Sequence, residues 1–299
     1  MRNHELFPYD RSLLLRMALV AVFTPLLVIA IVVGAILALP SPFQFVLAGV
    51  IVCGATMATW ERNRLAGGAV LREQDAPELF ATVDRLCAVA DLPRPELVLE
   101  RESQPNSWIV AAPGRRPRLH VTKPLLELLD RNELQAVLAH ELSHLASRDA
   151  AVMTVVGMPG TVLLAGARRA SRAGWWLIIV GAMIAAAIGS FSRLGTNALS
   201  RYRELAADQG AAAITGHPSA LASALLKVSS ALAQLPTADL RAVAARDGFH
   251  LVATGANQTS WRALNRLLNR FSATHPPLAR RLAALEQLER HAQRARPAL

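Results

Sequence analysis

The sequence predicts a mainly helical α+β protein that combines transmembrane helices with a domain containing a small antiparallel sheet. Composition gives the first reason: 53% of the 299 residues are hydrophobic and the mean hydropathy is +0.30, which is too apolar for an ordinary soluble domain of this size. The second reason is a set of long uncharged runs. The third is the segment between them, where residues with helical spacing alternate with β-rich stretches.

The first two uncharged runs predict an N-terminal transmembrane hairpin. Residues 17–39 and 43–60 contain 23 and 18 residues, and both lengths suffice to cross a hydrocarbon core of about 30 Å, the second only just. Pro40 and Pro42 favour a tight turn between them. A cleaved signal peptide is the competing interpretation of the first run. Its length, the lack of a clear A-x-A site and the immediate second run favour a retained anchor.

Two later runs, residues 150–167 and 173–192, are also uncharged and rich in small residues of the kind that pack membrane helices closely. Pro159 and Gly160 interrupt the first of them, and three arginines crowd the connection at residues 168–172. The pair is therefore compatible with a spanning, a re-entrant or a buried hairpin.

Arginines flank the N-terminal hairpin at both outer ends, and its turn carries no charge, so both ends are predicted to face the cytoplasm. The flanking residues are Arg2, Arg11 and Arg16 before the first run and Arg62, Arg64 and Arg72 after the second. The predicted location is the inner (plasma) membrane, with several crossings and a site that faces the cytoplasm. If the third run crosses, the arginines at residues 168–172 lie outside, against the positive-inside bias.

The net charge of +10 does not by itself indicate nucleic-acid binding, because the arginines are dispersed and no interleaved aromatic pattern or recognised binding motif accompanies them. Anionic lipid headgroups are the predicted partner of this charge. The two cysteines, Cys53 and Cys87, form neither a disulfide framework nor a C-x-x-C motif. A metal site must therefore use histidine and carboxylate ligands.

The segment after the hairpin has the composition of a soluble α+β unit. Helical spacing predicts a helix over residues 76–90, and β-rich runs predict strands over residues 96–100, 107–111 and 118–122. Pro113 and Gly114 predict a turn that pairs the last two strands antiparallel. An exposed edge of this pair could bind an extended peptide by strand addition, or it could only cover the core.

The stretch VLAHELSHLASRD predicts a helix that carries a metal site. An α-helix turns about 100° per residue, so His140 and His144 point the same way, one turn apart, and Glu141 lies beside that face. This H-E-x-x-H arrangement supplies two zinc ligands and a general base. Asn132 and Gln135 predict the capping box that starts the helix. The alternative is a buried helix whose histidines fall four apart by chance.

From residue 198 the chain is again polar and helical. Glu204 and Asp208, four apart, face the same way, and Gly216 predicts the end of their helix. His275 lies just ahead of a helix initiated by prolines. The chain thus divides into four segments. Residues 1–60 form an N-terminal transmembrane hairpin and residues 150–197 an apolar hairpin. Residues 61–149 and 198–299 form the first and second parts of one folded domain.

Four motifs together resemble one family. They are H-E-L-S-H at 140–144, S-R-Y-R-E-L-A-A-D at 200–208, P-N-S-W at 105–108 and T-H-P-P-L-A-R-R at 274–281. The chain resembles the HtpX-like membrane zinc metalloproteases, which are gluzincins related to the CAAX prenyl endopeptidases. The resemblance covers the chain from the hairpin to about residue 285 and implies a zincin-type catalytic domain built around the H-E-x-x-H helix.

The resemblance implies a site for one Zn²⁺ per chain. His140, His144 and Glu204 match the family's metal ligands, and Glu141 matches its catalytic glutamate. Asp208 matches the aspartate that supports a ligand histidine, which fixes the tautomer and the orientation of the imidazole.

The resemblance also implies roles for residues near the substrate. Asn106 matches the residue that holds the substrate backbone beside the edge strand, and His275 and Arg281 match the pair near the scissile carbonyl. For His275 the alternative is a structural histidine ahead of a helix. Asp149, five residues past His144, is turned about 140° away from it around the helix and is not expected to complete the site.

The function that the resemblance implies is hydrolysis of peptide bonds in misfolded or damaged membrane proteins at the cytoplasmic face, in quality control and stress response. The expected partners are polypeptide substrates and the lipid bilayer, and not nucleic acid. One alternative is a CAAX-type processing protease, for which two to four apolar runs are too few. Another is a zinc-stabilised membrane scaffold without activity, against which the retained Glu141 argues.

Overall fold

The computed structural model describes residues 11–65, 68–111, 116–147, 149–173, 175–234 and 275–295. The chain forms two compact units. One is built from Gly68–Ala150 and the chain from Arg201 onward, and the other from Arg11–Gly67 and Ala151–Ser200.

The second of these units is apolar and helical. Its helices are α1 (Arg11–Ala38), α2 (Ser41–Leu65), α6 (Asp149–Ala170) and the first part of α7 (Trp176–Thr215). Within the described residues, three segments are long and apolar enough to cross a membrane: Ala18–Ala38, Ser41–Trp60 and Trp176–Thr215. The first two belong to the predicted N-terminal hairpin.

Glycines bring the backbones of these helices close together. A Cβ atom on Gly54 of α2 would collide with the carbonyl of Val162 on α6, and one on Gly166 of α6 would collide with the carbonyl of Val50 on α2. Small residues permit this approach, which brings more atoms into van der Waals contact. A cluster of buried apolar side chains in this unit contains Val28, Leu47, Val50, Leu163, Ala167, Ala182, Ala185 and Ile188.

Helices α6 and α7 run through positions where the sequence suggested a break. Helix α6 is 22 residues long and runs through Pro159, and α7 is a single helix of 40 residues. The predicted boundary at residue 198 therefore lies within one helix. The end predicted for that helix is confirmed, since α7 stops at Thr215 and Gly216 adopts a left-handed φ of 69°.

The other unit holds the sheet and the remaining helices. These are α3 (Pro77–Ala90), β1 (Glu96–Glu100), β2 (Ser107–Val110), β3 (Arg118–Thr122), α4 (Lys123–Leu128), α5 (Arg131–Ala146), α8 (Pro218–Ala233) and α9 (Leu278–Ala295). The predicted antiparallel pair is confirmed, because β2 and β3 pair antiparallel with Ser107 opposite Val121. Strand β1 adds to the other side of β3 in the parallel direction, so β2 lies at an edge of the sheet. The predicted turn at Pro113 and Gly114 lies outside the described residues.

Helix α5 begins earlier than the sequence analysis expected. Asp130, and not Asn132, is the N-cap: its carboxylate accepts from the backbone N–H groups of Asn132 and Glu133, each at 2.9 Å. Glu133 completes the capping box by accepting from the backbone N–H of Asp130 at 3.0 Å. Residues 130–133 and residues 132–135 both fit the capping-box pattern. The box forms at residues 130–133, whose two capping side chains are carboxylates, because negative charge is favoured at a helix N-terminus.

Glu133 also fixes α5 to α8. Its carboxylate is buried and accepts from the Ser223 hydroxyl at 2.6 Å and from Lys227 Nζ at 2.7 Å. Helix α5 packs against α3, α8 and β2, and its middle residues from Ala136 to Leu142 belong to the core of the unit. The H-E-x-x-H segment is therefore held in place from several sides.

Candidate metal centre

Two histidines of α5 and one glutamate of α7 form a group of ligand-type side chains. His140 Nε2 lies 3.7 Å from Glu204 Oε2, and His144 Nε2 lies 3.5 Å from Glu204 Oε1. The ligand atoms of all three residues lie within 4.8 Å of one another, and among the described residues no other group of three has this property. Bonds of about 2.0–2.2 Å in tetrahedral geometry place neighbouring ligand atoms roughly 3.3–3.6 Å apart. The three side chains therefore fit a zinc ion.

A buried ion pair lies behind these ligands. Asp208, one turn after Glu204 on α7, has Oδ1 3.0 Å from His140 Nδ1. Arg281 of α9 donates to both oxygens of Asp208, from Nε to Oδ2 at 2.8 Å and from Nη2 to Oδ1 at 2.6 Å. Asp208 and Arg281 are each only 1% exposed. This geometry matches the bidentate arginine–carboxylate pair, which is among the strongest side-chain interactions.

Electrostatics keep His140 neutral and Arg281 charged. Burial lowers the pKa of His140 despite its contact with Asp208, which favours the neutral imidazole that binds metal ions. Burial alone would also lower the pKa of Arg281. Its pairing with Asp208 and the nearby charge of Glu204 outweigh that effect and raise the pKa above its usual value.

Glu141 lies beside the group in a different environment. It is 5% exposed, and burial raises its pKa to about 7 although the neighbouring His144 acts in the opposite direction. The Ser107 hydroxyl of β2 donates a hydrogen bond of 3.1 Å to Glu141 Oε1. A carboxyl group with a pKa near neutrality is suited to accept and return a proton at physiological pH.

The remaining predicted residues lie around the same cluster. His275 Nδ1 is 3.1 Å from Glu204 Oε2, and Arg281 Nη1 is 3.4 Å from the same oxygen. Asn106 precedes β2 and is 2% exposed. Its backbone is fixed by Thr122, whose hydroxyl accepts from the Asn106 N–H at 2.8 Å and whose N–H donates to the Asn106 carbonyl at 3.0 Å.

Ser107 is the residue at the site that sequence reasoning did not identify. Its one signal in the sequence is its position directly after Asn106 in the P-N-S-W motif. Strand periodicity predicts that neighbouring residues face opposite sides of the sheet, but it does not predict which helix one of them contacts.

A comparison of the sequence with models of protein families shows the family to which the chain belongs. The model of Peptidase family M48 matches residues 73–289, a range that includes every residue of the cluster. The chain belongs to peptidase family M48. As an M48 member it is a metalloprotease, a hydrolase that cleaves peptide bonds in polypeptide substrates and requires a metal ion. The predicted fold class and enzyme class are confirmed.

Relatives of this M48 metalloprotease extend the comparison to the membrane helices. The chain is 37% identical to "Protease HtpX homolog 1" of Streptomyces coelicolor over 94% of each chain. It is 35% identical to "Protease HtpX homolog 2" of Methanosarcina mazei, over 75% of this chain and 76% of the relative. The predicted resemblance to HtpX-like proteases is thereby confirmed, and the chain is a membrane protein. Among solved structures it is similar to S. mikatae Ste24p, with a TM-score of 0.48 and 18% identity over 73% of this chain and 51% of Ste24p.

Proposed function

We propose that this M48 protease is a zinc-dependent endopeptidase that degrades misfolded or damaged membrane proteins at the cytoplasmic face of the plasma membrane. The observation that carries the proposal is the group formed by His140, His144 and Glu204 beside the buried Glu141. Two imidazoles and one carboxylate are a ligand set of catalytic zinc sites, in which three protein ligands leave one position open.

The residues of the site divide the reaction between them. The three ligands would hold the zinc ion, which when bound would polarise the scissile carbonyl and make the attacking water more acidic. Glu141 takes a proton from that water as its oxygen bonds to the carbonyl carbon. When the C–N bond breaks, Glu141 delivers the proton to the leaving amine, and the second proton of the water also passes to the amine, so the products are an ammonium group and a carboxylate.

Asp208 and Arg281 position the ligands. Asp208 holds the Nδ1 side of His140, so that Nε2 is directed towards Glu204, and Arg281 holds Asp208. Arg281 is nearly inaccessible and engaged by Asp208, which favours a positioning role for it. We assign His275, in contact with Glu204, to the stabilisation of charge that develops on the carbonyl oxygen.

The substrate would bind along β2. This strand lies at an edge of the sheet and contacts α5, so an extended peptide added to it would run past Glu141. Asn106, at the start of the strand, is assigned to hold the substrate backbone. The arginines that flank the N-terminal hairpin support a cytoplasmic position for this site.

The experiment that tests the proposal is substrate trapping in the native membrane. Glu141→Gln should retain the zinc ligands and bind substrates without cleaving them, so cross-linking and mass spectrometry should recover membrane proteins enriched over the wild type. The matched control is the double variant Glu141→Gln with Glu204→Ala, which should lose the enrichment along with the metal. Equal recovery from both variants, or recovery of only extracytoplasmic soluble proteins, would refute the proposed substrates.

A further inference from the structure

We propose that Ser107 is a positioning residue for Glu141: its hydroxyl holds one carboxylate oxygen, Oε1, and thereby leaves the other, Oε2, for the attacking water. The proposal rests on the proposed role of Glu141 as the base. It adds a residue of strand β2 to a site whose metal ligands and ion pairs come from helices and from the segment before α9.

The contact is direct and shielded from water. Ser107 Oγ donates to Glu141 Oε1 at 3.1 Å, and the two residues are 1% and 5% exposed. Because water has little access to compete, this hydrogen bond is stronger than an equivalent bond at the surface. A hydrogen bond to a charged group is also stronger than one between two neutral groups.

The serine is itself held firmly. Its backbone pairs with Val121 of β3, and the preceding residue, Asn106, forms hydrogen bonds with Thr122 on both sides of its peptide unit. Glu141 has three side-chain torsions and lies on α5, a separate element. The Ser107 hydroxyl therefore fixes the carboxylate of the base relative to the strand along which the substrate is proposed to bind.

The hydrogen bond can persist through the proton transfers. When Oε2 takes the proton from water, Oε1 becomes the carbonyl oxygen of a carboxylic acid and still accepts from Ser107. The carboxyl group thus need not rotate between the step that removes the proton and the step that delivers it to the amine. Holding the reacting groups in one geometry lowers the entropic part of the barrier.

Two substitutions at Ser107 test the role. Ser107→Ala removes the donor, and we expect kcat to fall about 10- to 100-fold, with KM and zinc content near the wild-type values. Ser107→Thr keeps the hydroxyl and has a β-branched side chain suited to a strand, so it should restore most of the kcat. The affinity for a phosphinic peptide that mimics the transition state should fall with kcat in Ser107→Ala and recover in Ser107→Thr.

The matched control is Thr82→Val, which removes a buried hydroxyl on α3 that donates to the Glu78 carbonyl and accepts from the Arg85 guanidinium, both on the same helix. It should reduce thermal stability to a similar extent as Ser107→Ala without changing kcat. A wild-type kcat and phosphinate affinity in Ser107→Ala, or equal losses in the alanine and threonine variants, would overturn the role of Ser107. A wild-type protein that does not hydrolyse peptides would instead refute the proposed function.

Discussion

Glu141 and Glu204 carry the same functional group, but their surroundings suit them to different tasks. The carboxylate of Glu204 lies between two imidazoles and within 3.4 Å of the Arg281 guanidinium, so its negative charge is well compensated. Glu141 instead accepts a hydrogen bond from the Ser107 hydroxyl, and burial raises its pKa to about 7 against the opposing effect of His144. Two carboxyl groups with different environments separate a ligand from a base.

The role of Glu141 predicts the behaviour of Glu141→Gln. The amide has nearly the same shape, so the metal ligands should remain in place and the purified variant should contain as much zinc as the wild type. Its amide cannot accept the proton, and peptide hydrolysis should fall by about 10² to 10⁴. Cleavage of casein at the wild-type rate by this variant would contradict the assignment.

Some of these residues follow from local spacing and others do not. That His140 and His144 point the same way follows from helix geometry alone, because they are four residues apart. Glu204 lies 60 positions further on and was identified by its resemblance to a family motif. Ser107 and Glu141 are separated by 34 positions and come together only in the tertiary fold. A pattern read along one strand or one helix contains no information about such a contact.

At the level of elements, the capping box of α5 is linked to α8 by a buried carboxylate. Burial alone would raise the pKa of Glu133, but the hydrogen bonds from Lys227, Ser223 and the Asp130 backbone lower it below the usual 4.5. A carboxylate with a lowered pKa stabilises the folded state above its unfolded pKa, and this contribution is lost as the pH falls through the folded pKa. The position of the H-E-x-x-H helix thus depends on this charge.

We therefore expect the stability advantage of the wild type over Glu133→Gln to be greatest near neutral pH and to shrink as the pH falls below about 4.5. Thermal unfolding of the detergent-solubilised proteins across this pH range measures the difference. Glu127→Gln is the control, because Glu127 forms only an exposed pair with Lys123 and should change stability little at any pH. A constant difference between wild type and Glu133→Gln at all pH values would argue against the role of this charge.

The close contact of α2 and α6 predicts the effect of adding a single methyl group. Gly54→Ala would drive a Cβ atom into the Val162 carbonyl, and the backbone must shift, so we expect a loss of about 1–3 kcal/mol in thermal unfolding. Gly49→Ala on the same helix meets nothing within 4 Å and should be neutral or slightly stabilising. Equal stability of the two variants would show that α2 and α6 do not pack at Gly54.

The sequence predicted the individual elements better than their continuity. Strand β1 has the predicted bounds, and the β2–β3 pair and the helix after Ala76 were also expected. The continuous α7 was not expected, since its composition changes from apolar to polar near residue 198. Composition responds to the surroundings of a helix, while its continuity depends on backbone hydrogen bonds that the change of composition does not interrupt.

For the whole molecule, the metal centre restricts how the chain crosses the membrane. His140 precedes α6, Glu204 follows the apolar part of α7, and the two residues are in contact. The number of crossings between them must therefore be even. Because α7 has the length and apolarity of a span, α6 is expected to cross with it. In the proposed cytoplasmic orientation of the metal centre, the arginines at residues 168–172 would then lie outside, against the positive-inside bias.

Cysteine labelling tests this topology. In a background without Cys53 and Cys87, Lys123→Cys and Arg294→Cys should resist an impermeant thiol reagent in intact cells and react after permeabilisation. Ser171→Cys, between α6 and α7, should react in intact cells. All three positions are exposed. Labelling of the first two in intact cells would reverse the orientation, and protection of the third would show that α6 and α7 do not cross.

The most direct test of the proposed metal centre is the zinc content of two purified variants, Glu204→Ala and Asp149→Ala. If Glu204 completes the metal centre with His140 and His144, Glu204→Ala should contain almost no zinc and cleave no casein. Asp149→Ala should then retain about one zinc ion per chain. Full zinc in Glu204→Ala together with none in Asp149→Ala would contradict the assignment of Glu204 as the third ligand.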